Sequence, residues 1–335
     1  MMNPIFPLVS VVIPCRNEEQ TIRNCILSLH AQTYPSECIE IIVADGMSTD
    51  NTRTILAEMQ QRNPAIRVVN NSKLIAPAAM NRAIEVAKGK YIALLGAHSE
   101  LSDNYIAVAV QLLEDQQVDC VGGVVNAISA TSAAEAIALA ISSPFGVGDA
   151  KFRYSNKEEL VDTVAFGVYR LDIFQRIGLF DEDLPRNEDD EFNYRLRSRG
   201  GKILLSPNIS ARYYSRSTLP RLWHQYFGYG HGKVMVAKRH PEMMRARHFI
   251  PALFVASTVT LFVMAQLVRA ARLMWVLLVS AYCVAACLAS WRIAARHGWQ
   301  HLLRLPIVFF VLHTSYGFGT LKGLQEQVFH VLKRS

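Results

Sequence analysis

The sequence predicts an α/β domain followed by a C-terminal group of membrane helices, and three observations predict it. Short β-rich runs alternate with one-sided helical patterns up to Asp119. Charge is partitioned: from Phe249 onward there are eight Lys/Arg and one acid, so residues 1–248 carry 27 of each and the whole +7 lies in the C-terminal part. That part also holds uncharged apolar runs about as long as a bilayer is thick. With 335 residues, 51% hydrophobic and 19% charged, the chain is neither disordered, nor a coiled coil, nor a disulfide scaffold. A neutral N-terminal domain argues against nucleic acid as a partner, because a binding face there should be basic.

The elements follow in order. Val9–Pro14 reads as a strand, and the helix after it places Ile22, Cys25, Ile26 and Leu29 on one face. Ile39–Ala44 is the second strand, Ser48-Thr-Asp50 a capping stretch, and Ile55, Leu56 and Met59 mark the next helix. Ile66–Val69, a helix from about Pro77 to Ala87 ended by Gly89, and Tyr91–Leu95 complete the alternation. Strands apolar on both faces and separated by helices imply a parallel sheet covered on both sides. Beyond Asp119 come a strand around Cys120–Val125, a small-residue helix near Ala133–Ile141, and loops rich in Gly, Asp and Arg. A further helix starts at Asn187 or Glu188 with four acids in its first turn, complemented by Arg195, Arg197 and Arg199 at its far end.

Residues 219–238 read as an amphipathic helix that leads to the membrane, carrying Leu222, Trp223, Tyr226, Phe227 and Tyr229. Spans are expected at 249–268, 273–291 and 305–321, the last shorter and more polar and either spanning or re-entrant. Twenty helical residues cover ~30 Å. Lys233, Lys238, Arg239, Arg245 and Arg247 precede the first span, whereas its following loop has two Arg. The positive-inside rule therefore predicts a multi-pass protein of the cell membrane with residues 1–248 in the cytoplasm. Phe6–Ile13 is too short for the core of a signal peptide. Six cysteines without ligand spacing read as reduced structural thiols.

In a parallel sheet covered by helices, ligands bind beyond the carboxyl ends of the strands. There the sequence places Arg16-Asn17-Glu18, Asp45-Gly46 and Gly96-Ala97-His98. Taken singly each is a cap or a turn; together on one edge they form a binding-site pattern. No G-x-G-x-x-G and no Walker loop is present. An acid after the second strand suits a ribose hydroxyl or a base N–H, since a carboxylate accepts and does not donate. A nucleotide held by base and ribose, its phosphates toward the fourth strand, fits this layout.

Three segments carry a resemblance: Val9-Ser-Val-Val-Ile-Pro-Cys-Arg-Asn-Glu-Glu19, Val43-Ala-Asp-Gly-Met-Ser-Thr-Asp-Asn-Thr52 and Arg186-Asn-Glu-Asp-Asp-Glu191. Over nearly its whole length the chain resembles the family 2 glycosyltransferases of GT-A fold, and within them the membrane-anchored exopolysaccharide, succinoglycan-type subgroup. Ser143-Pro-Phe-Gly-Val-Gly148 and His313-Thr-Ser-Tyr-Gly-Phe-Gly319 resemble that subgroup more weakly. The resemblance implies a nucleotide-diphosphate sugar donor, often UDP-linked, and inversion at the anomeric carbon. It implies that Pro14, Arg16, Asn17, Glu18 and Asp45 hold the base and ribose, with Asn81 facing the nucleotide, although Met80 stands where the family often has Arg.

The family's D-x-D becomes Gly96-Ala97-His98 in this chain. Two readings compete. In one, His98 ligates a divalent cation, Mn²⁺ or Mg²⁺, held mostly by the diphosphate, with Mn²⁺ the more tolerant of imidazole. In the other, the leaving group is neutralised by a basic side chain, with Lys151, Arg153, Arg212 and Arg216 as candidates. Asp189, beside Glu188, is the residue the family assigns as general base. From composition alone the same acids simply stabilise a helix start. No Q-x-x-R-W stretch matches Gln225–Tyr229, and two or three spans are too few for a polysaccharide channel, so single-sugar transfer is expected rather than processive synthesis. The expected acceptor is a lipid-linked saccharide in extracellular or capsular polysaccharide assembly. Alternatives are transfer to a polyprenyl phosphate and a catalytically silent assembly partner.

Overall fold

In a computed structural model of the chain the described residues are 6–129, 132–215 and 217–332. They form two units, one of the residues up to Asn126 with Ala150–Tyr214, the other of Ala127–Asp149 with the residues from Ser215 on. The chain begins with β1 (Val9–Cys15), α1 (Ile22–His30), β2 (Ile39–Asp45), α2 (Thr52–Arg62), β3 (Ile66–Asn70), α3 (Ala76–Ile84), β4 (Tyr91–Leu94), β5 (Ser99–Leu101), α4 (Tyr105–Asp115) and β6 (Cys120–Ile128). It continues with α5 (Ser132–Ile141), α6 (Pro144–Val147), β7 (Glu159–Leu160), β8 (Val168–Arg170), α7 (Leu171–Ile177), α8 (Glu188–Ser198) and β9 (Ile203–Tyr214).

The sheet order is β3-β2-β1-β4-β8-β6-β9-β5, with β7 on β9. The first four strands are parallel, as the doubly apolar runs imply. Side chains of β1 alternate between two cores: Val9, Val11 and Ile13 pack with α1, α2 and α4, while Val12 packs with α3, α7 and α8. Beyond β4 the sheet turns antiparallel, β4 to β8, β8 to β6 and β9 to β5. The sheet is therefore mixed, and the all-parallel expectation holds for its first half. Gly89 lies past the end of α3 rather than at it, and its N–H donates to Ser10 Oγ at 2.7 Å. Cys15, Cys25 and Cys120 are buried free thiols whose pKa values burial pushes well up, in keeping with a structural role.

In the second unit α5 and α6 join α9 (Leu219–Arg239), α10 (Ile250–Met264), α11 (Arg269–His297) and α12 (Leu305–Leu332). α9 lies along α12, and glycine makes the approach possible: a Cβ at Gly230 would stand 2.1 Å from the Tyr316 carbonyl oxygen, and one at Gly319 as close to that of Phe227. The two weaker subgroup segments meet in this unit, where His313 Nε2 lies 2.8 Å from the Phe145 carbonyl oxygen.

Among the described residues one helix, α11, is long and apolar enough to cross a membrane. α10 has 15 residues and ends before the turn that starts α11, so the first expected span falls short. Its ~22 Å does not reach across a ~30 Å hydrocarbon layer. α12 buries Leu305, Phe309, Leu312, Ser315 and Thr320 inside its unit. The multi-pass expectation thus has support at the second span only.

Candidate active site

β1, β2 and β3 end level with one another: Cys15 pairs with Asp45, and Asp45 with Asn70. The chain then turns sharply at Asn17, whose φ of 55° lies in the left-handed region that Asn tolerates. Two loops are stitched across this edge. The Asn17 N–H donates to Ser48 Oγ at 2.9 Å, and Asn17 Oδ1 accepts from the Thr49 N–H at 2.8 Å. The Glu18 N–H donates to Thr52 Oγ1 at 2.8 Å. The Ser48-Thr-Asp50 stretch is therefore more than a cap, although Asp50 Oδ1 does accept from the Thr52 N–H at 3.0 Å.

Asp45 is fully buried. Its carboxylate accepts from Ser48 Oγ at 2.6 Å and from Arg53 Nε at 2.6 Å, and Arg53 also donates to Asn70 Oδ1. A buried carboxylate is costly unless its oxygens are paired, and here a hydroxyl and a guanidinium supply the partners. Arg16 is exposed and its aliphatic stem lies over Gly46, where an added Cβ would meet it at 3.2 Å. Pro14, half-buried, sits beside Ala44 in the ladder.

The loop after β4 reaches the same edge. His98 Nδ1 lies 3.0 Å from Glu18 Oε1, and Glu18 Oε2 accepts from Thr21 Oγ1 at 2.9 Å. The His98 ring stands edge-on to Tyr213, their centroids 5.3 Å apart. At Gly96 an added Cβ would meet Phe166 Cε1 at 3.3 Å, so the ring of Phe166 fills the room a side chain would need. Phe166 is itself held at φ 54°, an uncommon conformation for a bulky residue.

These residues do not fit a metal held by carboxylates at the end of the fourth strand. Position 96 has no side chain, Phe166 occupies its space, and His98 has one ring nitrogen left once Nδ1 is engaged by Glu18. No group of three or more His, Cys, Asp or Glu among the described residues is arranged to hold a metal.

α8 meets the sheet at β8, the neighbour of β4: Tyr169 Oη donates to Asn193 Oδ1 at 2.9 Å. Its N-cap Asn187 is left-handed at φ 62°. Glu188 is half-buried and Asp189 exposed. Burial first, then the charge of Asp189, pushes the Glu188 carboxyl up to about 8. Glu191 has a different task. Fully inside, it takes a two-pronged bond from Arg195 at 2.7 and 2.9 Å, and Arg195 also donates to the carbonyls of Ile177 and Leu179. Arg195 thus clamps α8 to the end of α7 rather than merely complementing the far end of its own helix.

Asn81 is buried and spent on the loop after α7. Its amide donates to the Phe180 carbonyl and to Glu182 Oε1, and its carbonyl accepts from the Phe180 N–H at 2.9 Å. Both amide hydrogens are used, so it holds that loop instead of facing the Asp45 cluster. Of the four basic candidates, Lys151 is paired with Glu159 and Arg212 with Glu100, Arg216 lies outside the described residues, and Arg153 stacks on Tyr213. Ser48 and Arg53 on Asp45, and Phe166 against Gly96, are contacts of the candidate residues that sequence reasoning did not single out. Arg53 was detectable only as a base in the first turn of the helix after an acid-ended strand.

The arrangement offers acceptors for a nucleoside at the ends of β1 and β2, and a carboxyl pair at the start of α8. Comparison with known proteins identifies the family. The glycosyl transferase family 2 model matches residues 10–178. The chain is 29% identical, over 94% of its length and 97% of the relative's, to dolichyl N-acetyl-alpha-D-glucosaminyl phosphate 3-beta-D-2,3-diacetamido-2,3-dideoxy-beta-D-glucuronosyltransferase of Methanococcus voltae. It is 32% identical to succinoglycan biosynthesis protein ExoA of Rhizobium meliloti, over 72% of this chain and 73% of that one. Among solved structures, the mannosyltransferase PcManGT of Pyrobaculum calidifontis, in complex with GDP-Man and Mn²⁺, superposes with a TM-score of 0.61 at 17% identity, covering 96% of this chain and 88% of that one. That likeness gives the fold. The chain belongs to glycosyltransferase family 2, and it is a glycosyltransferase of GT-A fold.

Proposed function

We propose that this chain transfers one sugar, with inversion, from a UDP-linked donor to a lipid-linked saccharide in extracellular or capsular polysaccharide assembly. The observation that carries the reading is the full-length similarity to an enzyme whose name specifies a sugar on dolichyl phosphate as acceptor. Similarity to a succinoglycan biosynthesis protein supports the polysaccharide setting. Arg16, Asn17, Glu18 and Asp45 receive the base and ribose at the edge near Pro14, with a nucleotide N–H or hydroxyl taking the place of the Ser48 hydroxyl on Asp45. Asn81 acts through the loop that it pins. A divalent cation would find one protein ligand here, His98 Nε2.

Inverting transfer needs one base for the acceptor proton. Asp189 is exposed and fills that role. Burial and the charge of Asp189 raise the Glu188 carboxyl beside it, which favours its protonated form. Membrane attachment runs through α11, with the sheet unit on the cytoplasmic face, where nucleotide sugars and lipid-linked acceptors meet.

The test is a donor screen on purified protein with a lipid-linked oligosaccharide, scoring nucleotide release and product. Release from a UDP-sugar with growth of the saccharide by one residue is expected. With polyprenyl phosphate supplied as a second acceptor, a product bearing a single sugar on that phosphate, with no growth of the saccharide, would move the assignment to polyprenyl-phosphate transfer. Release from no nucleotide sugar would leave the silent-partner reading.

A further inference from the structure

Without the first carboxylate of the strand-end motif a cation at the diphosphate has one protein ligand fewer, and a basic side chain is the other way to balance that charge. Lys151 is engaged by Glu159, and Arg212 by Glu100 at 3.5 Å. Arg153 is different. Its guanidinium carbon lies 5.5 Å from the Tyr213 ring centroid and 5.4 Å from that of Phe152, and its Nη1 is buried with no hydrogen-bond partner among the described residues. A buried donor on a charged group is costly to leave unmade, more so than a neutral one. Such a nitrogen is suited to an anion that the chain itself does not contain.

The position of Tyr213 says which anion. Tyr213 pairs with Ser99 at the start of β5, one residue beyond His98, and its ring also meets the ring of His98. Arg153 is therefore one aromatic ring away from the end of the fourth strand, where the donor's phosphates are expected. A guanidinium placed against a ring is held there by cation–π attraction, and the unpartnered Nη1 remains to donate to a phosphate oxygen.

We propose that Arg153, seated on Tyr213, binds the donor's diphosphate and stabilises it as it departs, in place of a carboxylate-held metal. The inference rests on the nucleotide-sugar reading given above. In the step, the acceptor oxygen forms its bond to the anomeric carbon as the bond from that carbon to the β-phosphate oxygen breaks. The electron pair of the broken bond stays on that oxygen, where Arg153 donates to the new charge, and the acceptor proton passes to Asp189.

The test measures binding of UDP and UMP, with GDP and GMP as a second pair, to the full-length protein in EDTA. Wild type, Arg153→Ala, Arg153→Lys and Lys151→Ala are compared. Charged hydrogen bonds to one phosphate group imply that Arg153→Ala weakens the diphosphate roughly tenfold or more, with the monophosphate unchanged. Arg153→Lys should fall between, keeping charge without the planar stack, and Lys151→Ala should match wild type. An unchanged diphosphate affinity in Arg153→Ala, or equal losses for mono- and diphosphate, overturns the inference while the donor reading stands. Wild type that binds neither pair in EDTA but binds one once Mn²⁺ is added overturns the role of Arg153 and leaves the donor reading standing; wild type that binds neither with or without Mn²⁺ overturns the donor reading.

Discussion

Glu188 and Asp189 are neighbours in sequence but not in environment, and two predictions rest on that difference. Asp189→Asn keeps the side-chain oxygen that accepts from the Asp190 N–H, so the helix start survives. The variant is expected to fold and bind nucleotide normally but to transfer sugar ~100-fold more slowly. Asp190→Asn is the charge control and should be far milder; equal damage from both would remove Asp189 as the base. For Glu188 the pH sign is definite. Its folded pKa of about 8 lies above the ordinary 4.5, so between these values the folded chain holds a proton that the unfolded chain has released. Stability should therefore fall as pH rises through that window and level off above it. Glu188→Gln, neutral at every pH, should flatten the fall in melting temperature, and an unchanged slope would show that another group titrates. The strand-end residues of this site were legible because a polar cluster after an apolar run stands out. The bonds that organise them were not: Asn17 and Ser48 are 31 positions apart, and no local pattern records such a partner.

At the scale of elements, the first-turn acids of α8 divide by direction. The sequence offers four acids with one explanation, the helix dipole, because spacing does not reveal which of them a neighbouring helix will cover. The structure turns Glu191 inward to Arg195, their side chains 3% and 17% exposed. Removing one partner of a buried ion pair leaves the other uncompensated, which costs about 3 kcal/mol or more. Glu191→Ala should lose that much stability in urea unfolding, whereas Asp190→Ala should lose clearly less. A small effect at Glu191 would mean that the carbonyls of Ile177 and Leu179 hold Arg195 unaided. The sheet was legible where its strands are apolar on both faces, from β1 to β4. β9 was not, because Ser206, Pro207, Asn208 and Ser210 interrupt its apolar pattern and it pairs in the antiparallel half. The resemblance supplied the GT-A fold for that half; residue patterns did not.

For the whole molecule, α11 decides what the chain is attached to. Its 29 residues leave Leu273, Leu277, Val284 and Leu288 exposed, an apolar surface that the described residues do not cover. The sequence shows three apolar runs, two of which read as spans and the third as a span or a re-entrant segment, since hydropathy registers composition and not where a helix ends or which face its unit buries. Cysteine placement makes the distinction measurable. Cys283 and Cys287 lie at the middle of α11 and are exposed, while Cys15, Cys25 and Cys120 are buried and Cys38 is half-buried. If α11 spans a bilayer, its midpoint sits ~15 Å from either surface of the hydrocarbon. In a Cys38→Ser background, a membrane-impermeant maleimide should then leave both thiols unmodified in intact or opened vesicles. The same reagent should modify them once the protein is denatured in dodecyl sulfate. Prompt labelling in opened vesicles would place α11 in water or on the membrane surface, and the anchor would have to be sought elsewhere in the chain.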